Sequence, residues 1–147
     1  MKSEIVKLAS ELFQLLIEST KENSIQWVKI EKLNDYNKNV FKLVLKYIQK
    51  KLLNNQALCD ENSYYTNTDN TLLVFLCFKN IVSNEYIYEL VSISNNKKLI
   101  VFSDYDEKNF SLRLGNLIKF QTMNEGDNLE DDVESIKTIV GEFQDNG

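Results

Sequence analysis

The stretch TLLVFLCFK, residues 71–79, constrains the fold more than any other part of the chain. Leu72–Phe78 is the longest apolar run in the sequence, and it is far too short to span a bilayer. It also lacks the alternation of apolar and polar residues that marks a strand with one face in water. A short strand that is apolar on both faces is typical of the centre of a sheet. We therefore expect a sheet with this stretch near its middle.

Turn-forming segments rich in Asn, Ser and Asp separate this central stretch from other strand-like segments. One segment, 63–67, precedes it, and two, 85–93 and 99–103, follow it. Turn signals every eight to twelve residues or so favour an antiparallel meander over βαβ units. A further segment, 24–33, has Val28 and Ile30 alternating with charged residues and is also predicted to be a strand. Its lone tryptophan is expected to pack in or at the rim of the core.

Apolar residues recur with helical spacing over 3–22, about 39–54 and about 128–143, which predicts three amphipathic helices. Four lysines recur at every fourth residue of the second helix, Lys38, Lys42, Lys46 and Lys50, and are expected to form a solvated face.

Residues 106–122 fit two structures. They contain a helical apolar stripe, but they also alternate about a Gly-Asn pair that suits a two-residue hairpin turn. We expect a helix, because Asp106 and Glu107 lie where a helix start favours acidic residues. The chain is thus predicted to be a single α+β domain over 1–147. It would combine an antiparallel meander sheet of four to five strands with three to four helices packed mainly on one face.

The residue types that the sequence lacks exclude several kinds of chemistry. Because the sequence contains no His, it cannot provide a Ser-His-Asp or a Cys-His catalytic group. A zinc site with His ligands is excluded for the same reason. Its four glycines fit neither the dinucleotide-binding nor the phosphate-loop motif. Cys59 and Cys77 stand without a spacing motif, so we expect two free thiols. The charged residues near the N-terminus interrupt any apolar signal segment, so we expect a cytoplasmic location.

Charge is distributed unevenly along the chain. Residues 1–60 contain ten Lys against seven Asp and Glu, whereas residues 61–147 contain six Lys and one Arg against fifteen Asp and Glu. This acidic second half, with the single Arg113, argues against nucleic-acid binding. A dipolar surface of this kind favours an oppositely charged partner, although many acidic proteins have some imbalance without using it.

Six carboxylates lie within ten positions from Glu125 to Glu134, with no basic residue among them. Asp127 and Glu130 resemble a capping box, so part of the run suits a solvated helix start. Counted from Asp127, an EF-hand would need ligands at Leu129 and a glycine at Asp132, so that calcium motif is absent. A protein-binding patch and a metal or catalytic carboxylate site stay open as alternatives to the helix start.

From these features we expect a non-enzymatic, bacterial, protein-binding protein without a cofactor, metal ion or membrane partner. It would neutralise or inhibit a basic protein, such as a toxin domain, as immunity and antitoxin proteins do. A carboxylate-based metal-binding or hydrolytic protein and a self-associating structural module are the alternatives. The oligomeric state is left open. The predicted partner-binding residues are Asp104, Asp106, Glu107, Glu125, Asp127, Glu130, Asp131, Asp132 and Glu134.

Overall fold

The structure is a computed structural model that describes residues 2–68, 70–94, 98–126 and 129–145. For residues 2, 98, 124–126, 129–135 and 145 it describes the backbone alone. The helices in these ranges are Lys2–Lys21 (α1), Leu33–Tyr36 (α2), Lys38–Leu53 (α3), Phe110–Gly126 (α4) and Leu129–Asp145 (α5). The strands are Val28–Lys29 (β1), Gln56–Leu58 (β2), Tyr64–Asn67 (β3), Thr71–Asn80 (β4), Tyr86–Ser94 (β5) and Lys98–Val101 (β6).

The described strands form one antiparallel sheet with β4 at its centre. The order across the sheet is β1-β3-β4-β5-β6, and β2 pairs with the same edge of β4 as β3 does. β5 pairs with β4 along nine residues, while β3 and β2 cover the two ends of the opposite edge. The apolar stretch at 71–79 is therefore the central strand, as the sequence predicts.

Helices cover both faces of this sheet. On one face, Leu72, Val74, Leu76 and Phe78 of β4 form a buried cluster with α3. On the other, Leu73 and Phe75 pack with side chains of α1 and α4. The α+β class and the antiparallel sheet are confirmed, whereas the expected placement of helices mainly on one face differs from what the structure shows. The reason is physical: β4 is apolar on both faces, and leaving either face in water would cost roughly 25 cal/mol per Å².

The helix predicted at 39–54 is α3, and its two faces differ as the sequence indicates. Val40 and Val44 are buried against the sheet, and the side chain of Asn37 caps the helix by accepting a hydrogen bond from the Val40 amide, 3.1 Å away. The four regularly spaced lysines lie on the opposite side and are all exposed. They form a solvated face.

The strand predicted over 24–33 is largely wrong. Only Val28 and Lys29 pair with β3, and the chain then turns through a short 3₁₀ segment into α2. Ile30 and Leu33 are both buried. Their three-residue spacing suits a helical turn, because strand residues three positions apart would have pointed to opposite faces. Trp27 is in the core, as expected, with its indole N–H donating to the Thr20 hydroxyl 3.0 Å away.

Residues 110–126 form a continuous helix, which confirms the helical alternative over the hairpin. Gly115 is buried where α4 packs against the sheet. A Cβ atom there would lie 3.1 Å from Cζ of Phe75 and 3.4 Å from Cδ1 of Tyr88. The glycine therefore serves the close contact of helix and sheet, and it does not form a turn.

None of the helices in the described part of the chain combines the length and the apolar character needed to cross a membrane.

Candidate partner-binding surface

The apolar stripe of α5 is exposed to solvent. Ile136, Ile139, Val140 and Phe143 have 61%, 53%, 47% and 77% of their surface exposed. Their spacing places them on one side of the helix, where a surface helix normally packs against the core. The last helix predicted from the sequence is thus confirmed, at 129–145, but the apolar side chains that the structure describes on it are exposed. We call these four residues the α5 stripe.

The same helix is strongly acidic. It contains six carboxylate residues and a single lysine, Lys137. Four of the carboxylates, Glu130, Asp131, Asp132 and Glu134, belong to the predicted partner-binding residues and lie in the N-terminal half of α5. Carboxylates near the N-terminus of a helix interact favourably with its dipole, so this placement also helps the helix to form. α5 therefore combines an uncovered apolar side with a high density of negative charge.

The other predicted acidic residues lie elsewhere. Asp104 and Glu107 are exposed in the connection between β6 and α4. Glu125 is in the last turn of α4, and Asp127 lies outside the described residues. Because α4 has 17 residues, about 25 Å of helix separates its two ends. The structure therefore divides the predicted site into two acidic groups and does not unite them in one patch.

Asp106 has a structural role at the start of α4. Its two carboxylate oxygens accept hydrogen bonds from the backbone amides of Phe110 and Ser111, at 2.9 and 2.8 Å. These amides belong to the first turn of α4 and have no partner within the helix. Asp106 is thus engaged in holding the start of α4, whereas its neighbours Asp104 and Glu107 are exposed to solvent.

A buried ion pair, which the sequence analysis missed, joins α3 to the sheet. Glu89 is only 6% exposed, and its carboxylate accepts hydrogen bonds from Lys51 Nζ at 2.8 Å and from the Tyr47 hydroxyl at 2.7 Å. Burial, and then the hydrogen bond to Glu89, raises the pKa of Tyr47 far above its usual value of 10.0. A glutamate inside the apolar strand EYIYELVSI was the signal that could have revealed this pair.

This ion pair offers little scope for chemistry. Both carboxylate oxygens of Glu89 have partners, and the carboxylate lies on the α3 side of the sheet opposite Leu76. In the part of the chain that the structure describes, no group of three or more His, Cys, Asp or Glu side chains is placed to hold a metal ion. The arrangement is that of a structural anchor for α3.

A second buried polar group ties α4 to the segment before β1. The amide oxygen of Gln121 accepts a hydrogen bond from the Trp27 backbone amide, and its nitrogen donates to the Ile25 carbonyl, at 3.1 and 2.9 Å. A shallow groove beside it is lined by Lys21, Asn23 and Phe120, among others. Both polar atoms of the Gln121 side chain form hydrogen bonds within the fold. We therefore interpret this polar group, like the ion pair, as structural.

No family model, curated protein or solved structure matches this chain.

Proposed function

We propose that this protein is a non-enzymatic, cytoplasmic binding protein that neutralises or inhibits a basic protein partner, in the manner of bacterial immunity and antitoxin proteins. The observation that carries the proposal is α5, an acidic helix whose apolar stripe is exposed. The division of charge along the sequence supports it, because the acidic half of the chain ends in this helix.

The α5 stripe has the form of a helix that docks into a groove. Anchors at positions i, i+3, i+4 and i+7 are the pattern by which amphipathic helices occupy apolar grooves of their partners. Each large apolar side chain transferred from water into such a groove contributes about 1.5–3 kcal/mol before the costs of association. Four of them, including the 77% exposed Phe143, suffice as the centre of an interface.

The carboxylates would orient the partner and accelerate its association with α5. Charge at the rim of an interface accelerates association with an oppositely charged partner and excludes partners of the same sign. α5 offers six carboxylates against one lysine, so a partner rich in Lys and Arg fits it best. Such binding weakens as salt rises, because the screening length shortens from about 10 Å at 0.1 M to about 3 Å at 1 M.

The test is capture of the partner from a lysate of the source organism at about 50 mM and about 500 mM salt, where screening is weak and strong. We expect wild-type protein to capture one basic protein at low salt and less at high salt. The double variant Ile139→Ser/Phe143→Ser should lose this protein. Its matched control is Leu15→Ser/Leu53→Ser, which removes two apolar residues that are 62% and 85% exposed on α1 and α3. This control should capture as the wild type does.

Charge is tested in the same way. Reversal of Asp131, Asp132 and Glu134 to Lys should slow association with the captured protein, most strongly at low salt. The control reverses three exposed acidic residues of α1, Glu4, Glu11 and Glu18, and so changes the net charge equally. Equal slowing by both triple variants would mean that only overall charge matters. No slowing by the α5 variant, or capture unaffected by the double stripe variant, would contradict the proposal.

The α5 stripe also favours one rival, self-association, because a second copy of the chain could cover it. Light scattering at increasing protein concentration distinguishes the two. A monomer at all concentrations removes the rival, whereas a dimer that the Ile139→Ser/Phe143→Ser variant abolishes would replace the proposed function with self-association.

A further inference from the structure

The two cysteines of the chain face each other across neighbouring strands. Leu58 of β2 pairs with Phe78 of β4, so the next position along the pair sets Cys59 opposite Cys77. The Cys59 amide donates a hydrogen bond to the Cys77 carbonyl at 2.8 Å. Residues that oppose each other at such a hydrogen-bonded position have Cα atoms about 5.5 Å apart. A disulfide needs about 4.4–6.8 Å between Cα atoms.

The side chains of this pair project from the same face of the sheet, because directly opposed residues of an antiparallel pair do so. Cys59, and Tyr88 on the other neighbour of β4, both affect the pKa of the Cys77 thiol. Both cysteines are free thiols, with Cys77 fully buried and Cys59 half-buried. A reagent from solution therefore meets Cys59 first, and Cys77 lies behind it within reach of its sulfur.

The backbone around Cys59 leaves room for a small adjustment. The Cys77 amide does not complete the backbone pair with Cys59 but donates to the Ser63 hydroxyl at 3.0 Å. That hydroxyl donates in turn to the Cys59 carbonyl at 2.8 Å. Cys59 is thus held to β4 by one direct backbone hydrogen bond, immediately beyond the end of β2. Rotation of its side chain towards Cys77 does not require a ladder of hydrogen bonds to break.

We propose that Cys59 and Cys77 form a thiol-modification site that small-molecule disulfides oxidise to an intramolecular disulfide bond. In the first step the Cys59 thiolate attacks one sulfur of the small disulfide, whose S–S bond breaks and releases one small thiolate. In the second step the Cys77 sulfur attacks the Cys59 sulfur, and the proton of the Cys77 thiol passes to the second small thiolate as that thiolate is displaced. The protein loses two hydrogen atoms, and the small disulfide is reduced to two thiols.

The order of these steps follows from the environment of each sulfur. Desolvation by burial, followed by the neighbouring Cys59, raises the pKa of the Cys77 thiol to about 12, so Cys77 stays protonated until the attack takes place. A protonated thiol is a poor nucleophile towards a reagent in solution, and a buried thiol is also shielded from that reagent. Cys77 attacks only when the mixed disulfide on Cys59 lies beside it and the departing thiolate can take up its proton. Cys59 is therefore the residue that reacts with the reagent, and Cys77 the residue that resolves the mixed disulfide.

The experiment uses the folded, full-length protein and oxidised glutathione as the probe. After reaction, the protein is denatured, its remaining thiols are alkylated, and its mass is measured. For the wild type we expect loss of two hydrogen atoms, no alkylated cysteine, full reversal by a dithiol reductant, and a raised midpoint of thermal unfolding. The variant Cys77→Ser should stop at a stable glutathione adduct on Cys59, and Cys59→Ser should stay unmodified.

The wild-type measurement alone decides the outcome, so the proposal does not depend on the folding of the variants. A wild-type protein that keeps a glutathione adduct, retains two alkylatable thiols, or forms only disulfides between chains would overturn it. Partner binding is not involved in this test, so its result is independent of the proposed function.

Discussion

α3 and α5 are amphipathic helices of 16 and 17 residues, and their sequences predict both about equally well. Their surroundings differ completely. Val44, on the apolar side of α3, is 1% exposed, whereas Val140, on the apolar side of α5, is 47% exposed. Apolar residues with a period of 3.6 therefore show that one side of a helix is suited to burial, but they do not show which part of the molecule, or which partner, buries it. For α3 the cover is the sheet, and for α5 we propose a partner.

The largest expected effect comes from the same substitution at these two valines. Val44→Asp would place an unpaired carboxylate in the core, and we expect it to cost more than about 4 kcal/mol of unfolding free energy or to prevent folding. Val140→Asp, on the exposed stripe, should change it by about 0.5 kcal/mol or less. Denaturant titration of both proteins provides the comparison. A large loss of stability in Val140→Asp would mean that α5 packs against the domain in solution.

The ion pair that anchors α3 should give the next largest effect. Lys51→Met removes the cation beside the buried carboxylate of Glu89 and leaves the hydrogen bond from Tyr47, and we expect a cost of about 3 kcal/mol of unfolding free energy. The matched control, Lys46→Met, removes an exposed lysine from the outer side of the same helix and should be nearly neutral. Chemical denaturation measures both. Similar losses from the two variants would show that the Glu89 contact does not stabilise the fold.

High pH should lower the stability of the fold. Burial, then the bond to Glu89, raises the pKa of Tyr47, and burial raises that of Cys77 to about 12, from ordinary values of 10.0 and 9.0. Above about pH 9 the unfolded chain therefore loses protons that the folded protein keeps, and stability falls by up to about 1.4 kcal/mol per pH unit for each group. Tyr47→Phe should make this decline shallower above pH 10. Equal slopes for variant and wild type would contradict the assignment.

The smallest effects come from two helical glycines. Gly115→Ala pushes a methyl group towards the rings of Phe75 and Tyr88, which stack on each other with centroids 5.5 Å apart. We expect a net loss of about 1 kcal/mol. Gly141→Ala meets nothing within 4 Å, and it should increase the helicity of α5 by a contribution of up to about 1 kcal/mol. Thermal melts and circular dichroism distinguish the two. A gain from both would mean that α4 can move away from the sheet.

The elements with strong periodicity could be predicted from the sequence. The central strand 71–79 and the helices beginning near residues 3, 39 and 128 all exist close to their predicted bounds. The same central strand could also have predicted that helices pack on both faces of the sheet. A strand that is apolar on both sides needs other elements to bury each of its faces. Local alternation was misleading at 24–33, where the burial of Ile30 and Leu33 imposes helical turns on a sequence that alternates like a strand.

The candidate site was harder to predict from the sequence than the fold was. The acidic run at 125–134 lies partly in the helix that we propose binds the partner, but a run of charge does not show that an apolar stripe beside it is exposed. Asp106 has the same side chain as Asp104, yet it caps α4 because the backbone amides of Phe110 and Ser111 point at it. Cys59 and Cys77 are 18 positions apart in sequence, and only the register of β2 against β4 brings them together.

The most direct test of the central claim is amide hydrogen exchange of the protein, alone and in complex with the basic protein captured at low salt. We expect α5 to exchange readily in the free protein, because the α5 stripe is exposed, and we expect binding to protect residues 136–143 most strongly. Protection concentrated on α3 or on the edge of the sheet, with the exchange of α5 unchanged, would contradict the account.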